Sequence, residues 1–179
     1  MNKQYIIYVD LDNVLVDFYT GVEKFTGVRV NFSTQSDKFR TELIQRVGEE
    51  GGKQFWIDLN WMPDGKMLWK QINHIACLYN FEVNILSSPG ANRGHLFVQN
   101  AKKGKSVWVK REIGSDVKVI LESKKQKYAH EKAILIDDFI INTENFLKAG
   151  GNAILHKPGQ TLNTIEQLNI AVTKLLKDK

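Results

Sequence analysis

Twice in this chain a short, wholly apolar run ends abruptly in two acidic residues. Residues 5–9 (YIIYV) lead into Asp10-Leu11-Asp12, and residues 133–136 (AILI) lead into Asp137-Asp138. Unbroken apolar runs of this length suit strands buried on both faces, as in parallel sheets covered by helices. Open parallel sheets bind ligands beyond the carboxyl ends of their strands. The pattern therefore predicts two acidic pairs at the same edge of one sheet. Residues i and i+2 of an extended segment point the same way, so Asp10 and Asp12 share a side. Carboxylates held so close repel one another unless a cation lies between them or one is protonated.

Three further runs read as strands: 81–86 (FEVNIL), 117–121 (VKVIL) and 153–155 (AIL). Helical patterns lie between them. Residues 66–79 repeat Met67, Leu68, Ile72, Ile75, Ala76 and Tyr79, and 161–177 repeat Leu162, Ile165, Leu168, Val172 and Leu175. Residues 92–113 form a long basic helix with a break expected near Gly104, and 142–149 a short one ending at Gly150-Gly151. Alternating strands and helices predict an α/β fold: a Rossmann-like, three-layer parallel sheet. Between residues 17 and 62 no strand is legible. Helices are expected at 18–26 and 36–48, then a turn at Gly51-Gly52. That stretch is too long for a plain loop. It is read as a small helical cap, 18–62, inserted into a core of 1–17 and 63–179.

Cys77 is the only cysteine, which excludes an intrachain disulfide and a Cys-rich zinc site. The apolar run at 5–9 is too short for a signal-peptide core, and no stretch approaches the roughly 18 apolar residues of a membrane span. A cytoplasmic location and no membrane partner are expected. His74, His95, His130 and His156 show no HxxxH spacing. Gly52-Lys53 is followed by Gln54 and lacks the upstream glycine of a P-loop, which disfavours ATP-driven kinase chemistry. The net charge of +5 is unevenly spread: residues 101–132 hold ten Lys and Arg against four Asp and Glu. Such a segment can hold a phosphate-bearing ligand or a nucleic acid; a solvated helix face is the plainer alternative.

Two more features point to phosphate. The strand at 81–86 runs into Ser87-Ser88-Pro89-Gly90. Hydroxyls and backbone N–H groups at such a turn can hold phosphate oxygens. Beyond it, Lys102, Lys103 or Lys105 can offset the charge of a transferring phosphoryl group. The two acidic pairs supply enough hard oxygen atoms for Mg²⁺.

In this order, Asp10-Leu11-Asp12, Ser87, a lysine and Asp137-Asp138 resemble the haloacid dehalogenase-like phosphatase superfamily, over nearly the whole chain. The resemblance implies a sheet ordered 5-4-1-2-3 and an early helical cap. Within the superfamily the chain is more similar to 5'(3')-deoxyribonucleotidases and their phage and bacterial relatives. The residues that carry this are DLDNVLVDF at 10–18, WMPDG at 61–65, ILSSP at 85–89, KSVWVKREIG at 105–114, and the spacing from Lys127 to LIDD. The resemblance selects Lys105 among the three lysines. It also selects Lys125 and Lys127 as a basic pair, although the family usually has Arg at the first. Lysine there gives up a bidentate grip on phosphate. Asn13 stands where the family usually has Gly.

What the resemblance implies is a Mg²⁺-dependent phosphomonoesterase acting on (deoxy)nucleoside monophosphates. Asp10 would be the nucleophile, and Asp12 the general acid and then base. Mg²⁺ would lie among Asp10, the Asp12 carbonyl, Asp138 and the phosphate. Asp137 would orient Lys105, with the division of roles between Asp137 and Asp138 left open. Ser87 and the N–H of Ser88 would hold phosphate oxygens, and Lys125 and Lys127 would grip the substrate. Phe18 is the expected base-stacking ring, with Phe55 and Trp56 beside it; packing within the cap is the alternative for each. A homodimer is admitted. The competing readings are a phosphatase acting on a nucleic-acid 3'-phosphate or another small phosphoester, and a non-catalytic nucleic-acid-binding module.

Overall fold

Five strands share one sheet in the computed structural model, which describes residues 4–90 and 92–177. They are β1 (Ile6–Val9), β2 (Glu82–Ser87), β3 (Val119–Leu121), β4 (Ala133–Asp137) and β5 (Asn152–Leu155). All neighbours pair in parallel, in the order β3-β2-β1-β4-β5, which is the order expected. Ile6, Tyr8, Leu86, Ala133 and Leu135 gather on one face around Phe146. Ile7, Val9, Ile85, Ile134 and Ile136 are equally buried, and strand alternation turns them to the other face. Burial on both faces is why these strands read as unbroken apolar runs. Val9 lies opposite both Ile85 and Ile136, so β1 and β4 end level and deliver their acidic residues to one edge.

The chain divides into two compact units. The first holds the sheet and comprises the chain up to Val16, Trp61–Ser88, and everything from Lys118 onward. It includes α4 (Gly65–Tyr79), α6 (Ile140–Lys148) and α7 (Thr161–Lys177). Helix α4 closes on Asn80, which takes a left-handed backbone (φ 57°), and α4 packs against α7 and β2. Helix α6 packs on β4 and β5.

The second unit comprises Asp17–Asn60 and Pro89–Val117. Its helices are α1 (Phe18–Thr26), α2 (Asp37–Glu50), α3 (Gly52–Ile57) and α5 (His95–Glu112). Asp17 caps α1 by accepting from the Thr20 N–H, and Ser36 caps α2 by accepting from the Phe39 N–H. Its core is aromatic: Phe18, Phe55, Trp56 and Phe97 meet in successive edge-to-face contacts.

Three expectations about this region are corrected. Helix α5 belongs to the helical unit and not to the core. The Trp108 indole N–H donates to the Leu59 carbonyl at 2.8 Å, and the Phe97 ring lies over Gly48, which fastens α5 to α2 and to the end of α3. Gly104 does not break α5. A Cβ there would stand 2.5 Å from the Lys53 carbonyl oxygen, so this glycine permits close helix contact. The Gly51-Gly52 turn exists, with Gly52 at φ 57°, but it opens directly into α3, a short helix that carries Phe55 and Trp56 into the aromatic core. Among the described residues no helix is long and apolar enough to cross a membrane.

Candidate active site

Asp10 follows β1 directly, and its N–H donates to the Ile136 carbonyl at 3.0 Å, which ties it to β4. Asp137 is the last residue of β4, and Asp138 comes next. Asp10, Asp137 and Asp138 each bring a carboxylate oxygen within 4.8 Å of the others. The cation that such crowding requires is Lys125, from a single 3₁₀ turn at Lys125–Tyr128. Its Nζ lies 2.8 Å from Asp10 Oδ1 and 2.5 Å from Asp137 Oδ2, and its side chain is 1% exposed. Burial alone would lower the proton affinity of this ammonium. The two carboxylates outweigh burial and hold its pKa above the ordinary lysine value.

Lys125, expected to grip the substrate, is buried at the carboxylates and held there by Asp137, the part that the resemblance implies for Asp137 toward Lys105. The rest of the Asp137 carboxylate is also engaged. Oδ1 accepts from the Phe139 N–H at 2.9 Å, and Asn142 Nδ2 donates to both oxygens at 3.1 Å. Asn142 is a site residue that the sequence reading missed. It stands five positions after Asp137, in the first turn of α6, where the helical path returns it to the strand end. Both Asp137 oxygens are thus engaged, by Lys125, Phe139 and Asn142.

Asp138 accepts from Asn13 Nδ2 at 3.1 Å. Burial, then the charges of Asp10 and Asp137, push its pKa up to about 7, against a smaller opposing effect of the Asn13 hydrogen bond. A carboxyl raised in the folded state stabilises the fold fully below its unfolded pKa, and that stability is lost as pH rises through the folded value. The metal-free protein should lose the Asp138 contribution between about pH 4 and pH 7. Buried His156 works in the opposite direction, because burial lowers its pKa, so the raw pH profile mixes the two. Comparison with Asp138→Asn isolates the carboxylate. In EDTA the variant should melt several degrees above the parent at pH 7.5, and the gap should close towards pH 5. Equal gaps at both pH values would contradict the raised pKa.

The other predicted site residues fall as follows. Ser87 ends β2 and is fully buried, and the hydroxyls of Ser88 and Ser123 lie 2.8 Å apart. Asp12 lies in the turn after β1, bridged to Val16. Lys127 is 57% exposed and donates to Glu122 at 2.6 Å, so its charge is already matched at the surface. Lys105 sits in α5 at 3% exposure. Phe18 is 8% exposed, with its ring against Tyr19 and Phe55, so packing accounts for most of its surface. Trp56 is likewise buried in that cluster.

The donor set at the strand ends is made of carboxylate oxygens and carries more negative charge than Lys125 balances. Hard oxygen ligands in excess of cation suit Mg²⁺, and the absence of cysteine or histidine from the cluster argues against a zinc centre.

No family model and no curated protein matches this chain. Solved structures resemble its fold. One reported as a dehalogenase is 11% identical, with 94% of this chain and 96% of that chain covered and a TM-score of 0.49. A HAD family enzyme from Bacteroides thetaiotaomicron, solved as a magnesium complex, is 15% identical over 89% of this chain and 96% of that chain, with a TM-score of 0.46. A hydrolase from Streptococcus pneumoniae is 14% identical over 94% of this chain and all of that chain, with a TM-score of 0.48. The chemistry of the site rests on this chain's own residues.

Proposed function

We propose that this chain is a Mg²⁺-dependent phosphomonoesterase of the haloacid dehalogenase type, with Asp10 as nucleophile. The observation that carries this reading is the buried Lys125 ammonium shared between Asp10 and Asp137, with the Asp138 carboxylate beside them at the carboxyl edge of a parallel sheet. The ion pair engages Asp10 Oδ1, which leaves Oδ2 to attack phosphorus. The products of that step are an aspartyl-phosphate and the departing alkoxide. Asp12 protonates the alkoxide, then takes a proton from the water that hydrolyses the acyl-phosphate. Lys125 offsets charge on the phosphoryl oxygens, and Asp137 holds it in place through the bonds from Phe139 and Asn142. Asp10, the Asp12 carbonyl and Asp138 would hold Mg²⁺, whose positive charge stabilises the phosphoryl group in transfer. Ser87, the Ser88 N–H and Lys105 are proposed contacts for phosphate oxygens.

The substrate we propose is a nucleoside monophosphate. Support comes from the motif similarity to deoxyribonucleotidases, and from aromatic rings clustered immediately after the first acidic pair, of which Phe18 is the one proposed to meet the base. A nucleic-acid 3'-phosphate is the second reading, favoured by the exposed cations Lys102, Lys103, Lys110 and Arg111 of α5. A phosphate-release screen tests both. With Mg²⁺, deoxynucleoside monophosphates should release phosphate faster than 3'-phosphorylated oligonucleotides, and EDTA should abolish release from either. Undiminished turnover after exhaustive chelation would overturn the metal-dependent mechanism.

A further inference from the structure

Asn13 combines two features that have no role in the reaction just described. It is a non-glycine residue with a left-handed backbone, φ 57°, and its side chain is buried at the strand ends. The turn it occupies is tight. Its own N–H donates to the Val16 carbonyl at 2.7 Å, while the Leu15 and Val16 N–H groups donate to the Leu11 carbonyl at 2.9 and 2.8 Å. Glycine meets that backbone requirement without strain, and asparagine is among the few other residues that tolerate it. The backbone therefore does not call for the side chain. The side chain reaches from the turn after β1 to the residue after β4, where Nδ2 donates to Asp138 Oδ2 at 3.1 Å.

We propose that Asn13 is a positioning residue for the divalent cation: its amide ties down one oxygen of Asp138 and presents the other to the metal. This deepens the phosphatase reading and rests on it. The physical basis is rotational. Asp138 follows the last paired residue of β4, and its carboxylate can turn about its side-chain bonds. It sits beside Asp10 and Asp137, whose charges repel it. Without the Asn13 donor on Oδ2, repulsion would rotate the group away from the cluster. Lys125 cannot serve, since its ammonium is committed to Asp10 and Asp137. Asn142 cannot serve either, since its amide is committed to Asp137. Each carboxylate of the second pair thus has its own amide: Asn142 for the orienting Asp137, Asn13 for the metal-facing Asp138. Outer partners that orient a metal ligand commonly change affinity by 10–100-fold when removed.

Asn13→Gly is a clean test because glycine keeps the left-handed turn and removes only the amide. Mg²⁺ binding is measured by calorimetry without substrate, and thermal melts are recorded in EDTA and in Mg²⁺. The variant should melt within a few degrees of the parent in EDTA, bind Mg²⁺ about ten-fold more weakly, and gain correspondingly less stability from the ion. In kinetics, the Mg²⁺ concentration for half-maximal turnover should rise by a similar factor, with turnover at saturating Mg²⁺ recovered. If parent and Asn13→Gly bind Mg²⁺ equally, the positioning role is overturned and the phosphatase reading stands. If the parent itself binds no Mg²⁺ at millimolar concentration, the metal-dependent reading fails, and this inference with it.

Discussion

Asp10→Asn should reduce phosphate release by several orders of magnitude while the protein stays folded. On the proposed mechanism the carboxylate oxygen of Asp10 forms the bond to phosphorus. An amide of the same shape has no comparable nucleophile, so the covalent route closes. The variant is nearly isosteric, and its backbone bond from Asp10 N–H to the Ile136 carbonyl is untouched. Its effect on stability is small in comparison. Replacing a buried carboxylate with an amide removes one partner of Lys125 but leaves Asp137 at 2.5 Å, so the ammonium is still paired. It also relieves repulsion on Asp138, whose raised pKa owes part of its shift to Asp10. The measurement is single-turnover and steady-state phosphate release with Mg²⁺ saturating, together with a thermal melt. Near-parental turnover in a folded variant would remove Asp10 from the nucleophile's role, and with it the covalent mechanism.

The legible parts of this molecule are those determined locally. Two-sided burial writes itself into sequence as an unbroken apolar run, which makes β1 and β4 legible, whereas the order of the strands is legible only through the resemblance to a known superfamily. The acidic pairs were readable for the same reason, because a strand's end marks the place where polar residues become possible. The burial of Lys125 was not legible, because burial of a lysine is decided by what surrounds it. Nothing within KKQKY distinguishes the residue that turns inward to two carboxylates from Lys127, which turns out to Glu122. The signal that existed was electrostatic: four strand-end carboxylates demand a buried cation, and a lysine just before β4 can reach them. Gly104 was misread because a mid-helix glycine raises the same alarm whether it breaks the helix or admits a neighbour. The neighbour, at Lys53 and Trp56, lies some fifty residues away in sequence. Asn13 and Asn142 carry no charge and match no spacing rule, and only their reach across to Asp138 and Asp137 gives them meaning.

Lys125→Met should be the most damaging substitution for folding and turnover together. The methionine fills a similar volume, so the packing around the 3₁₀ turn survives, but Asp10 and Asp137 lose the charge between them. Both are buried, Asp137 completely. Removing one partner of a buried ion pair typically costs about 3–5 kcal/mol, because an uncompensated charge is left in a poorly solvated place. Lys125 has a raised pKa, so its stabilising contribution is present through the whole neutral range and is lost only as pH rises through the folded value. The deficit of the variant should therefore be large at pH 7.5. It should shrink as pH falls, because burial raises the Asp137 pKa and a proton there removes the uncompensated charge. Lys125→Met with Asp137→Asn separates the two roles of the lysine. Removing the second charge should recover much of the melting temperature, since a neutral amide can still accept from Phe139. It should recover no turnover, since no cation then faces the phosphoryl oxygens beside Asp10. Melts in EDTA at pH 5 and 7.5, with phosphate release on the single and double variants, measure both effects. If turnover returned together with stability in the double variant, Lys125 would be a structural counter-ion alone, and charge stabilisation of the phosphoryl group would have to come from elsewhere in the site.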